Sequence, residues 1–207
     1  MIGPTVVVDA VTQVAGRTTV LDDVSLTAGA GTLVVLSGRS GSGKTTLLHL
    51  LAGVHAPTRG SVVVLDRPAT DLHDWSLVSL TPQHSTVAGA LSVRENVLLP
   101  AALRSREVDE GLLADLALDA IADQPATGTS LGEQQRTGIA RGLLLHPRVA
   151  LLDEPTSHQD DENVERVLEV LLRARSGGTT LVVATHDPRV SAVADVVVHL
   201  VGGRVHG

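Results

Sequence analysis

The eight residues Gly38-Arg39-Ser40-Gly41-Ser42-Gly43-Lys44-Thr45 match the pattern G-x-x-x-x-G-K-[ST] at every fixed position. An apolar run at 33–36 enters this stretch, and residues 44–52, rich in helix formers with an apolar face, leave it. Strand, glycine-rich loop and helix in that order form a phosphate cradle. The glycines let the backbone wrap an anion with its N–H groups pointing inward. The helix N-terminus adds a favourable dipole. Lys44 supplies a mobile positive charge for the outer phosphates, and the Thr45 hydroxyl can hold Mg²⁺. The loop alone indicates nucleotide-phosphate binding and leaves kinase, GTPase and motor equally open.

Outward from the loop, the chain divides by composition. Short β-branched runs at 6–8, 20–26, 33–36 and 61–65 read as strands bounded by Gly, Asp or Pro, and 75–81 is a further strand candidate. Residues 92–103, 108–118 and 131–146 are rich in Leu, Ala, Arg and Glu and read as helices, with Pro100, Pro125 and Gly128 marking breaks. Strand–helix alternation then returns: 149–153, 162–174, 180–185, 188–194 and 196–201. Such alternation implies parallel strands with crossover helices. The expected fold is α/β, a phosphate-loop NTPase core with a parallel sheet, an N-terminal antiparallel β portion and an inserted α-helical lobe. One domain is expected over residues 1–207, with its core in 1–83 and 141–207 and the lobe in 84–140.

The run Val149-Ala150-Leu151-Leu152 ends in Asp153-Glu154. A buried strand delivers Asp153 to the carboxyl edge of the sheet, where ligands bind in open α/β folds. Asp153 can then hold Mg²⁺ through water, and Glu154 can reach an attacking water. A turn or helix cap is the plainer reading of these acids, since Pro155 and Thr156 follow.

The 207 residues carry a net charge of −7 and no Lys/Arg run, which argues against general nucleic-acid binding. There is no cysteine, so disulfides and thiolate metal sites are excluded. Met1-Ile2-Gly3-Pro4 shows no secretory signal, and no run is long enough to span a bilayer. A cytoplasmic location is expected. With no Phe, no Tyr and one Trp, aliphatic side chains must fill the core.

At this point the sequence resembles the ATP-binding cassette (ABC) family, in the family's order and over nearly the whole chain. Residues 38–45 look like its Walker A loop, and Gln83 matches the Q-loop glutamine. Ser130-Leu131-Gly132-Glu133-Gln134-Gln135-Arg136 lines up with the signature usually written LSGGQ. Leu151-Leu152-Asp153-Glu154-Pro155-Thr156-Ser157 is similar to Walker B with its catalytic glutamate, Ser157-His158-Gln159-Asp160 to the D-loop, and Thr185-His186-Asp187 to the switch histidine.

The resemblance implies an ATPase subunit of a transporter, using ATP and Mg²⁺. It would work through a separate transmembrane permease subunit and sit at the inner face of the cell membrane. Two cassettes, identical or related, would stack head to tail. Gly38, Arg39, Ser40, Gly41, Ser42, Gly43, Lys44, Thr45 and Thr46 would bind phosphate, with Thr45, Gln83 and Asp153 around the metal. Ser130, Leu131, Gly132 and Glu133 would meet the partner's nucleotide, with Ser157 and Asp160 in the D-loop. Lys44, Glu154 and His186 would carry the chemistry. The short single-cassette form looks like export-type or lipoprotein-release-type cassettes. An ATP-binding regulatory module with weak hydrolysis and a non-transport ABC ATPase are the alternatives.

Two positions depart from the family pattern. Thr129 and Leu131 stand where the family has Leu and its first signature Gly. Either Leu131 turns away and fills the space left by Thr129, or it weakens the signature. The aromatic that the family stacks on adenine maps near Val14, and neither Tyr nor Phe is available. Modest ATP affinity and loose base selectivity follow.

Overall fold

The computed structural model describes residues 5–84 and 87–206; Met1–Pro4, part of the N-terminal reading above, fall outside them. The first sheet has four antiparallel strands in the order β2-β1-β4-β5: β1 (Val6–Ala15), β2 (Thr18–Ala28), β4 (Arg59–Val64) and β5 (Arg67–Pro68). The second has six in the order β10-β9-β3-β8-β7-β6: β3 (Leu33–Ser37), β6 (Val78–Thr81), β7 (Val149–Asp153), β8 (Thr180–Ala184), β9 (Val196–Val201) and β10 (Arg204–His206). Neighbours from β9 to β6 pair in parallel, and β10 closes the edge antiparallel to β9.

Period-two geometry explains the layering. In β3, Val34 and Leu36 enter one apolar core while Leu33 and Val35 enter the other. The same split separates Leu151 from Ala150 and Leu152 in β7, and Val182 from Leu181 and Val183 in β8. Strands covered on both faces need unbroken apolar runs, which these three have. The first core packs the antiparallel sheet and helix α1 (Lys44–Leu51) against the central sheet. The second packs the remaining helices on the opposite face. The largest fully buried side chains are all Leu or Ile, so aliphatic packing replaces aromatics throughout.

Between β6 and β7 the described segments form helices α2 (Val93–Ala102), α3 (Gly111–Asp115) and α4 (Leu131–Leu143), with short 3₁₀ turns. After β7 come α5 (Asp161–Ser176) and α6 (Pro188–Ala192). Among the described residues, no helix is long and apolar enough to cross a membrane.

Three expectations need correction. Pro100 does not break the second helix; it lies inside α2, two residues from its C-terminal end, at the loss of one backbone N–H. The helix read at 108–118 contracts to Gly111–Asp115, because Ala117 adopts a left-handed φ of 51° while Leu116 and Leu118 turn into the core. The strand read at 75–81 begins only at Val78. Asp74 holds the preceding residues in a turn, accepting hydrogen bonds from the Ser76 and Leu77 amides at its side chain and carbonyl respectively.

Candidate nucleotide site

The carboxyl ends of β3, β7 and β8 meet at one edge of the sheet, and the loop 38–43 leaves from β3 at that edge. Gly43 caps α1 with φ 103°, and a Cβ there would lie 2.6 Å from a Leu21 methyl and 3.0 Å from the Val20 carbonyl. The β2 strand therefore presses on the loop, and only glycine fits. The loop, Thr46, Val20, Gln83, Asp153, Glu154 and His186 line one cleft of about 530 Å³.

Within the cleft, Lys44 is buried and donates to the carbonyls of Gly38 at 2.8 Å and Arg39 at 3.4 Å. Its Nζ lies 4.0 Å from Glu154 Oε1. Among the described residues the buried Ser42 hydroxyl has no partner, although the surrounding loop is built to receive an anion. First-turn amides of α1 have no intrahelical acceptor by geometry. An orphaned hydroxyl, a buried ammonium and a helix N-terminus converging on one cleft fit a phosphate chain.

Thr45 Oγ1 donates to Asp153 Oδ2 at 2.6 Å, and Asp153 is 3% exposed. Burial pushes the Asp153 carboxyl above the usual carboxylate range; the Thr45 hydrogen bond opposes this, Glu154 adds to it, and Lys44 and His49 oppose it. A hydroxyl beside a carboxylate whose charge is incompletely compensated is a donor set suited to a hard, oxygen-seeking cation.

Glu154 is held in a left-handed conformation, φ 48°, with its amide donating to the Ala184 carbonyl at 2.7 Å. That turn rotates its side chain away from the direction of the strand. Its carboxylate accepts from Thr185 Oγ1 at 3.1 Å, and His186 Nδ1 lies 3.0 Å from Oε2. The imidazole itself is 79% exposed. Glu154 thus sits between Lys44 on the loop side and His186 on the solvent side of the cleft.

The other sequence-assigned residues lie elsewhere. Ser130, Leu131, Gly132 and Glu133 do not line the cleft; they form the cap and first turn of α4. Ser130 and Glu133 make a reciprocal capping box, in which Glu133 Oε2 accepts from the Ser130 amide and hydroxyl at 2.7 Å each. Leu131 is 62% exposed, so it does not fill the space beside Thr129, whose hydroxyl donates to the Ala126 carbonyl. Ser157 has a buried hydroxyl without a hydrogen-bond partner among the described residues, while Asp160 caps α5 by accepting from the Asn163 amide at 2.9 Å. Val14 is partly exposed on β1 and is absent from the cleft lining; Val20 of β2 is the side chain of that sheet which lines it. Sequence reasoning missed Val20 because the packing of the hairpin on the loop has no local signal.

A family model described as ABC transporter matches residues 21–157. The lipoprotein-releasing system ATP-binding protein LolD of Anaeromyxobacter dehalogenans is 38% identical over 91% of this chain and 85% of that protein. LolD of Bordetella avium is 36% identical over 91% of this chain and 88% of its own length. Among solved structures, the dimeric cassette MJ0796 bound to ADP and Pi superposes with a TM-score of 0.89 at 28% identity, covering 98% of this chain and 97% of that one. With phosphate loop, paired acids and fold in agreement, the chain belongs to the ABC transporter family, as one of its ATP-binding and ATP-hydrolysing cassettes.

Proposed function

We propose that this cassette hydrolyses ATP in a head-to-tail pair, each nucleotide lying between the loop 38–46 of one chain and Ser130–Glu133 of the other, and drives a separate transmembrane subunit of the export or lipoprotein-release type. The observation that carries this reading is the separation of two half-sites. The cleft holds loop, acids and histidine, whereas the α4 N-terminus points its capping residues to the surface, away from the cleft. A second copy supplies what one chain lacks.

In this reading Lys44 and the loop amides hold the β- and γ-phosphates. Thr45, Gln83 and Asp153 would hold Mg²⁺, which would neutralise charge developing on the phosphates. Glu154 orients a water and accepts its proton. His186, hydrogen-bonded to Glu154, reaches the γ-phosphate from the open side. Thr185 keeps the Glu154 carboxylate oriented.

A second groove, about 780 Å³, takes no part in this chemistry; Val54, Leu72, Trp75, Leu99, Pro100 and Leu145 supply its apolar lining. Trp75 and Val54 are exposed there, which supports docking of the membrane subunit on this side, at the inner membrane face. Residues 84–140 serve as the lobe carrying part of that groove, although α4 runs unbroken past residue 140.

The pairing is tested with Glu154→Gln, which removes the proton acceptor and keeps the shape. Turnover should fall by about a hundredfold or more. Sedimentation with Mg-ATP should show a dimer that is absent without nucleotide. A variant that stays monomeric at saturating Mg-ATP rules out the two-fold arrangement.

A further inference from the structure

Behind the signature turn, outside the nucleotide cleft, one side chain joins two segments that the reaction uses separately. Gln159 Nε2 donates to the Gly132 carbonyl at 2.9 Å, and Gln159 Oε1 accepts from Arg136 at 2.5 Å. A carbonyl only accepts and a guanidinium only donates, so the two partners impose a single orientation on the amide. Neither Glu nor Leu at this position satisfies both. Arg136 is 6% exposed, and its Nε donates to the Leu116 carbonyl at the end of α3 at 2.8 Å. Burial works against this guanidinium charge, with Glu133 and Asp160 offsetting part of the penalty. The backbone adds a second tie. A Cβ on Gly132 would lie 2.6 Å from the His158 carbonyl, so the loop after β7 rests directly against the first turn of α4. That loop is short: Ser157 donates its amide to the Glu154 carbonyl, and His158 and Gln159 follow at once.

We propose that Gln159 is a positioning residue that fixes the first turn of α4 to the loop after β7, and so holds the signature in its aim at the other chain's nucleotide. The inference rests on the head-to-tail reading above. Gln159 is not among the residues lining the cleft; its effect passes through Gly132 and Arg136, to which it is hydrogen-bonded.

The test compares Gln159→Glu and Gln159→Leu with the parent chain. The Glu variant keeps an acceptor for buried Arg136 and loses only the donor to Gly132, so its melting temperature should stay near that of the parent. Both variants should lose about tenfold in turnover at saturating Mg-ATP. In the Glu154→Gln background, both should weaken ATP-dependent dimerisation by a similar factor. Binding of a fluorescent ATP analogue to the monomer should change less than about twofold, since the chain's own cleft is untouched. Parent-like turnover and dimerisation in the Glu variant would overturn the proposal. So would nucleotide binding and melting temperature falling together, which marks a purely structural residue. If Glu154→Gln alone fails to dimerise, the head-to-tail reading fails first, and that outcome is read before any Gln159 variant is made.

Discussion

The Thr45 hydroxyl lies 2.6 Å from the Asp153 carboxylate across 108 residues of chain. This contact joins the first turn of α1 to the end of β7 and defines the floor of the nucleotide cleft. Burying the carboxylate there is costly: Asp153 is almost fully buried and its carboxyl is raised mainly by desolvation, which the Thr45 hydrogen bond only partly offsets.

Asp153→Asn should therefore stabilise the nucleotide-free protein. A raised carboxyl is less favourably ionised in the folded state than in the unfolded one. Its ionisation subtracts stability as pH rises from the unfolded value through the folded one. The amide keeps an acceptor for Thr45 and removes the charge. Thermal melts without nucleotide or metal should show a gain of ~1 kcal/mol at neutral pH. Mg-ATP turnover should fall by about a hundredfold or more. A melting temperature that drops would mean the buried charge is better compensated than its neighbours suggest.

Leu131→Gly should raise turnover. The Leu131 side chain is 62% exposed at the first residue of α4, beside Ser130, where a partner's phosphate would approach. Removing it opens the approach to the helix amides. The glycine costs up to about 1 kcal/mol of helix stability. Steady-state ATPase assays should show roughly a two- to fivefold gain. Unchanged or lower turnover would show that the exposed Leu131 does not obstruct the site.

ATP and GTP should be hydrolysed with kcat/KM values within about tenfold of each other. Base stacking on an aromatic is worth about 1–3 kcal/mol in nucleic-acid complexes, and this chain has no Tyr or Phe to supply it. Val20 lines the cleft and offers only an aliphatic surface. Parallel kinetics with both nucleotides decide the matter; a preference far beyond tenfold would require a specific base contact.

Ser130→Ala should destabilise the chain by ~0.5–2 kcal/mol through loss of the α4 cap. It should also flatten the acid limb of stability. The Ser130 hydroxyl, followed by its backbone amide, holds the Glu133 carboxyl below the usual carboxylate range, against a smaller opposing effect of burial. A depressed carboxyl contributes stability above its unfolded value and loses it as pH falls through the folded value. Thermal melts at pH 7 and about pH 3 bracket the carboxylate range and should differ less in the variant than in the parent. An equal acid loss in both would place the stabilisation elsewhere.

Much of this molecule was legible in its sequence because the relevant signals are local. The loop 38–45 shows glycines where the backbone must turn and a lysine and threonine where charge and a hydroxyl are needed. The β3, β7 and β8 runs are continuously apolar because both their faces are covered. Ser130 and Glu133 were read only for their place in the signature, and the structure adds that they cap α4. Where reading failed, tertiary packing had overridden propensity at one place and local turn chemistry had gone unread at another. Ala117 turns left-handed so that Leu116 and Leu118 can both be buried, and Asp74 traps its neighbours in a turn that delays β6.

The sequence by itself determined the order of elements, the phosphate loop and the acids that end β7, because each depends on side chains a few residues apart. Only the tertiary structure decided that Val20 rather than Val14 reaches the cleft, that Leu131 faces solvent, and that Gln159 bridges Gly132 and Arg136. Those facts depend on how separate elements press together. The free energy of that packing comes from long-range burial, which no short stretch of sequence encodes.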